Sequence, residues 1–125
     1  GNPLAVAAGL KTLEILERDN PYPRMAQLGR RMAETINNAA ASKGAGLHCA
    51  QHNGVFTLFG TGDAPVRNLA DAKRCDTQAY ARLFHALLNR GYYLPPSQFE
   101  VGFISAAHSE ADVMAFAQDV AGALA

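Results

Sequence analysis

The apolar positions along the chain change period several times, and each change marks an element. Leu4, Ala8, Leu13 and Leu16 recur at helical spacing, with Ile15 at the margin of the stripe. Lys11, Glu14 and Arg18 fall on the opposite face, where Glu14 and Arg18 are spaced as a favourable i,i+4 pair. Asn2 can cap this helix, and Pro3 suits its first turn, where an N–H has no intrahelical partner to lose. Asp19-Asn20-Pro21 stops it. A second helix is expected from about Pro23, with Met25, Leu28, Met32, Ile36 and Ala39 inward and Arg30, Arg31, Glu34 and Asn38 outward. It fades through the small residues Ala39 to Ser42 and ends at Gly44 or Gly46.

The middle of the chain reads differently. Leu47 to Gln51 is a short strand, and Asn53-Gly54 is a two-residue turn whose positions both need positive φ. Val55 to Phe59, β-branched and aromatic, is the partner strand. Gly60 to Pro65 is a loop, and Asn68 to Asp71 begins a short helical turn. Asp76 caps the most regular helix, in which Tyr80, Leu83, Phe84, Leu87 and Leu88 share a face and Gly91 marks the end. Tyr92 to Leu94 is expected to be a short strand that Pro95-Pro96 cuts off. A last strand is expected over Val101 to Ile104. Ser109 with Asp112 resembles a capping box, opening a final helix with Val113, Phe116, Ala117, Val120 and Leu124 on one face. The order helix, helix, hairpin, helix, strand, strand, helix predicts an α+β domain with a small, mostly antiparallel sheet and helices packed largely on one side.

Composition narrows the function classes. With 125 residues, 49% of them hydrophobic and 18% charged, the chain fits one domain with a real core. Its formal net charge is zero, so bulk charge draws it to neither nucleic acid nor an anionic membrane. No apolar run approaches the roughly 20 residues that span a bilayer. Cys49 and Cys75 are too few for a disulfide scaffold, which points to a reduced, cytoplasmic setting. The opening Gly1-Asn2-Pro3, with a helix starting at once and no methionine, reads as a boundary within a longer polypeptide.

Candidate chemistry is sparse. A strand puts His48 and His52 on one face and Cys49 on the other, and a fourth ligand at zinc spacing is missing, so two exposed imidazoles beside a buried thiol are expected rather than a metal site. Gly60-Thr61-Gly62 is too short for a phosphate loop, and no Gly-x-Ser-x-Gly elbow occurs. The remaining segment is Leu94-Pro95-Pro96-Ser97-Gln98-Phe99-Glu100. Two prolines stiffen it, three polar side chains follow, and Glu100 lies between Phe99 and Val101. A carboxylate in such an apolar setting has a raised pKa suited to proton transfer, whereas a solvated turn would leave it ordinary.

That segment carries a resemblance. Arg90 to Glu100, followed by Ser105-Ala106-Ala107-His108-Ser109-Glu110, is similar to the C-terminal region of the glutamate-1-semialdehyde 2,1-aminomutases, members of the class-III pyridoxal-phosphate aminotransferases. Gly1-Asn2-Pro3-Leu4, Phe56-Thr57-Leu58-Phe59 and Asp71 to Asp76 resemble the same family, so the likeness runs along essentially the whole chain. Tyr92 stands where the family often has Val, and Asn53-Gly54-Val55 where it often has Gly-Ser-Met. The resemblance implies that residues 1–125 are the small C-terminal domain of a fold-type I enzyme, the first helix leading in from a large cofactor domain. It implies conversion of glutamate 1-semialdehyde to 5-aminolevulinate in tetrapyrrole synthesis, with pyridoxal and pyridoxamine 5'-phosphate as cofactor and a homodimer in the cytosol or plastid. The family's Schiff-base lysine matches none of Lys11, Lys43 and Lys73, so the chain alone is expected to be inactive and to bind no cofactor. Its expected partners are its own large domain, a second subunit and the small-molecule substrate. Glu100 matches a family glutamate that reaches the active-site cavity, and Ser97 and Gln98 accompany it as loop candidates on the substrate side. Two other readings stay open. One is the small domain of another class-III aminotransferase, disfavoured because no arginine follows Arg90 to hold a substrate carboxylate. The other is a non-catalytic binding or assembly domain.

Overall fold

The structure is a computed structural model that describes residues 1–62 and 65–124. Two long helices come first. In α1 (Pro3–Asp19) the Asn2 side chain accepts from the Leu4 N–H, and Asn20, at φ 39°, turns the chain out of the helix. Helix α2 (Tyr22–Lys43) closes on Gly44 at φ 60°, whose N–H reaches back to the last carbonyls. The hairpin follows, with β1 (Leu47–His52) antiparallel to β2 (Val55–Gly60), and Asn53 and Gly54 both at positive φ between them. Then come α3 (Leu69–Lys73), α4 (Thr77–Leu88), β3 (Gly102–Phe103) and α5 (Glu110–Ala123). The sheet has the order β1-β2-β3 and is antiparallel throughout.

The core lies between the inner face of the sheet and the helices. Cys49 and Leu58 face each other across the hairpin and are buried against Leu28, Met32 and Ile36 of α2. Val113, Phe116, Ala117 and Val120 of α5 and Tyr80, Leu83 and Leu87 of α4 close the other side. Asn37 ties α2 to the sheet by accepting from the Cys49 N–H at 2.7 Å and donating to its carbonyl at 3.1 Å. The Ser109–Asp112 capping box forms, and Asp76 accepts from the N–H groups of Gln78 and Ala79.

Three expectations are corrected, and one apolar stripe is found uncovered. Tyr92 to Leu94 is not a strand: the Tyr92 N–H is spent on the Leu87 carbonyl, completing the turn at Gly91 (φ 91°), and the prolines follow directly. The last strand shrinks to Gly102–Phe103, which pair with Phe56 and Val55. Glu14 pairs with Lys11 rather than Arg18, and Arg18 instead holds Asp19. The stripe of α1 reaches no core. That helix buries no residue, and Leu4, Leu10 and Leu13 are exposed. The expected loop after β2 includes Asp63 and Ala64, which lie outside the described residues.

Candidate functional site

The segment from Gly91 to Ile104 leaves the end of α4, crosses the end of the sheet and returns as β3. Its two ends are fixed first. Tyr92 stacks edge-on against Phe116, centroids 5.3 Å apart, and its hydroxyl donates to Asp119 at 2.8 Å. That bond to a carboxylate is the main reason the Tyr92 phenol titrates above its ordinary value. At the far end the Ile104 N–H donates to the Gly54 carbonyl at 2.8 Å. Between them the chain curls round a cavity of about 630 Å³. Phe56, Leu94, Val113 and Phe116 make its apolar wall, Glu100, Asp112 and His108 supply two carboxylates and an imidazole, and Tyr92 and Tyr93 also line it.

Inside the loop the polar residues have separate tasks. Ser97 shapes a turn, its hydroxyl accepting from the Phe99 N–H at 3.2 Å and its carbonyl from the Glu100 N–H at 3.1 Å. Gln98 points inward and is 2% exposed, and neither end of its carboxamide finds a partner among the described residues. Glu100 points outward at the cavity rim. Its flanking residues do not enclose it, since Phe99 and Val101 are themselves 53% and 44% exposed. The expected apolar setting is therefore absent in this chain, and the Glu100 side chain is exposed. The loop thus brings Glu100 to the surface, leaves Ser97 half-buried and sends Gln98 into the interior.

The spacing of charged residues does not reveal the side chains that hold this segment in place. Tyr80 of α4 donates from its hydroxyl to the Pro95 carbonyl at 2.6 Å. Burial pushes that phenol above its ordinary pKa, and the nearby Glu100 charge adds to the effect. Thr57 of β2 donates to the Glu100 carbonyl at 3.1 Å. His108 accepts the Ser105 N–H on Nδ1 at 2.9 Å, and the carbonyls of Ala106 and His108 are held by Arg24 at 3.0 and 2.9 Å. Asp112, which lines the same cavity, is held below the usual carboxylate range, chiefly by the hydrogen bonds from Ser109.

The histidine–cysteine cluster separates as the strand period requires. Cys49 is buried on the inner face, where desolvation pushes its thiol up to about 12, while His52 is exposed on the outer one. Among the described residues no group of three or more His, Cys, Asp and Glu could hold a metal ion. The cavity also lacks cations. Lys11 is paired with Glu14 on α1, and Lys43 donates to the Ala121 and Leu124 carbonyls at 3.0 Å each. No lysine or arginine is among the cavity's lining residues. No lysine among the lining residues offers an amine to the aldehyde of a pyridoxal cofactor. Among the described residues no helix is long and apolar enough to cross a membrane.

Comparison with known proteins adds the decisive observation. Glutamate-1-semialdehyde 2,1-aminomutase of a Thermus thermophilus strain is 46% identical over 114 residues, covering 90% of this chain and 26% of the relative. Its counterpart in Opitutus terrae is 42% identical over 113 residues, and that in Sulfurihydrogenibium azorense is 42% identical over 113. The chain resembles the aminomutases along nine-tenths of its length. It spans about a quarter of the curated relatives it matches. An omega-transaminase from Sphaerobacter thermophilus superposes on 99% of the chain with a TM-score of 0.78 and 24% identity, covering 28% of that transaminase. The fold is therefore that of a transaminase segment, as the aminomutase resemblance implies. No profile of a known protein family matches the chain.

Proposed function

We propose that the chain is the C-terminal small domain of a glutamate-1-semialdehyde 2,1-aminomutase and supplies the wall of the active site that carries Glu100. The observation behind this reading is the 42–46% identity to aminomutases over nine-tenths of the chain. The reaction is an isomerisation: the amino group leaves the carbon beside the aldehyde of glutamate 1-semialdehyde, which becomes a ketone, and an amino group appears on the former aldehyde carbon, giving 5-aminolevulinate. Pyridoxal phosphate, held by other parts of the enzyme, supplies the carbonyl that carries nitrogen between the two carbons. This chain's share is more modest. The Pro95–Glu100 loop closes one side of the cavity, its apolar wall excludes water, and the Glu100 carboxylate accepts a hydrogen bond from, or relays a proton to, a substrate amino group.

In this proposal α1 leads in from the large cofactor domain, and its exposed leucines face that domain or a second subunit of a cytoplasmic homodimer. The product enters tetrapyrrole synthesis. The full-length enzyme should form 5-aminolevulinate from glutamate 1-semialdehyde alone, with no second amino donor or acceptor. A strict requirement for a separate amino acceptor would instead identify an aminotransferase moving nitrogen between two molecules.

A further inference from the structure

The Pro95–Glu100 loop carries the candidate carboxylate, yet neither of its prolines has a backbone N–H with which to anchor it. Its fixing points come from elsewhere. Tyr80 lies on α4, is 5% exposed as a member of the core, and donates from its hydroxyl to the Pro95 carbonyl at 2.6 Å. Thr57 lies on the central strand β2, and its hydroxyl meets the Glu100 carbonyl at 3.1 Å. The two donors therefore grip the first and last residues of the six-residue loop, one from a helix and one from the sheet. Within the grip the only bonds among the described residues are those of the short turn around Ser97, which set the shape of the loop but not its place on the domain.

We infer that Tyr80 and Thr57 are positioning residues, a two-point clasp that holds the Glu100 loop at the cavity mouth. Neither hydroxyl needs to touch substrate. Each donates to a loop carbonyl from outside the loop, and each ties the loop to an element that the core immobilises. The inference rests on the proposed role of Glu100. Its physical content, a loop fastened at two hydroxyls, is measurable separately.

The test uses Tyr80→Phe, which keeps the ring and removes the clasp, and Thr57→Val, with Thr57→Ser as the conservative rescue. In the 125-residue chain, hydrogen exchange at the Phe99 and Glu100 amides should accelerate about tenfold in Tyr80→Phe and Thr57→Val, while the amides of α2 and α5 change no more than global stability dictates. Thr57→Ser should restore slow exchange. In the full-length enzyme Tyr80→Phe and Thr57→Val should each lower kcat about tenfold with KM within about twofold, the signature of a misplaced group rather than a lost contact. Glu100→Gln separates the two levels. If Glu100→Gln abolishes turnover while the Tyr80 and Thr57 variants leave loop exchange or kcat at wild-type values, the clasp is overturned and the Glu100 reading survives. If Glu100→Gln leaves turnover intact, the Glu100 reading fails, and loop exchange alone decides whether the clasp exists.

Discussion

Gly102 sits opposite Phe56 in the β2–β3 pair, and a methyl group there would have nowhere to go. A Cβ built on Gly102 would lie 2.5 Å from Cζ of Phe56, 2.7 Å from Cε1 and 3.1 Å from Cε2. All three atoms form the tip of a rigid ring, so the whole ring must swing away to make room. It cannot do so freely, because it packs against Phe116 at a centroid distance of 5.8 Å. Overpacking of this kind costs about 1–3 kcal/mol. The backbone at Gly102 is outside the left-handed region, so alanine recovers roughly 0.5 kcal/mol by restricting the unfolded chain. The net expectation for Gly102→Ala is a loss of about 1–2 kcal/mol. For a chain of this length that lowers the melting temperature by roughly 4–8 °C. The decisive comparison is a double-mutant cycle with Phe56→Leu, since leucine has no atoms at the Cε and Cζ positions. Urea unfolding should show Gly102→Ala costing about 1–2 kcal/mol in the parent and close to nothing beside Phe56→Leu. An equal cost in both backgrounds would show that Gly102 is required for some reason other than the Phe56 ring.

Other outcomes follow from the same packing. A thiol reagent at about pH 8 should label Cys75 slowly in the native chain and leave Cys49 untouched until denaturant is added, because burial raises both thiols and Cys49 the more. Rapid native labelling at Cys49 would contradict its place beneath α2. Asp76 and Asp112 are both held below the usual carboxylate range by the N–H and hydroxyl donors at their helix starts, so they bind fewer protons folded than unfolded. Their contribution is present above the ordinary carboxylate pKa and is lost as pH falls through the lowered folded values. Thermal melts should therefore show stability falling with acid, and Asp76→Asn with Asp112→Asn should flatten that slope. The exposed leucines of α1 predict that the isolated chain self-associates in sizing experiments and that Leu4→Gln with Leu13→Gln relieves it. Monodisperse monomer of the unsubstituted chain would argue that α1 needs no cover.

The elements most legible in the sequence are those whose signals are local. Helices α2, α4 and α5 announce themselves by period and cap, and the hairpin by Asn53-Gly54. Tyr92 to Leu94 misled because strand formation depends on a partner, and the Tyr92 N–H is claimed by the end of α4. The stripe of α1 was legible, but its lack of cover within the chain was not, since periodicity records an apolar face and not what it meets. At the site, the Pro95–Glu100 segment was found through its motif. The inward turn of Gln98 was not visible, because a buried glutamine looks like a surface one in sequence. Tyr80 reads as one more member of an apolar stripe, and nothing in its spacing shows that its hydroxyl reaches a proline fifteen positions on.

The most direct test is the turnover of the full-length enzyme with Glu100→Gln, measured as 5-aminolevulinate formed from glutamate 1-semialdehyde across a range of pH. The substitution keeps the side chain's size and removes its charge and its capacity to carry a proton. The proposal predicts a fall in kcat of about 100-fold or more and a changed pH profile, with the melting temperature unaltered because Glu100 is exposed. Wild-type turnover at every pH would show that the carboxylate at the cavity rim takes no part in the reaction.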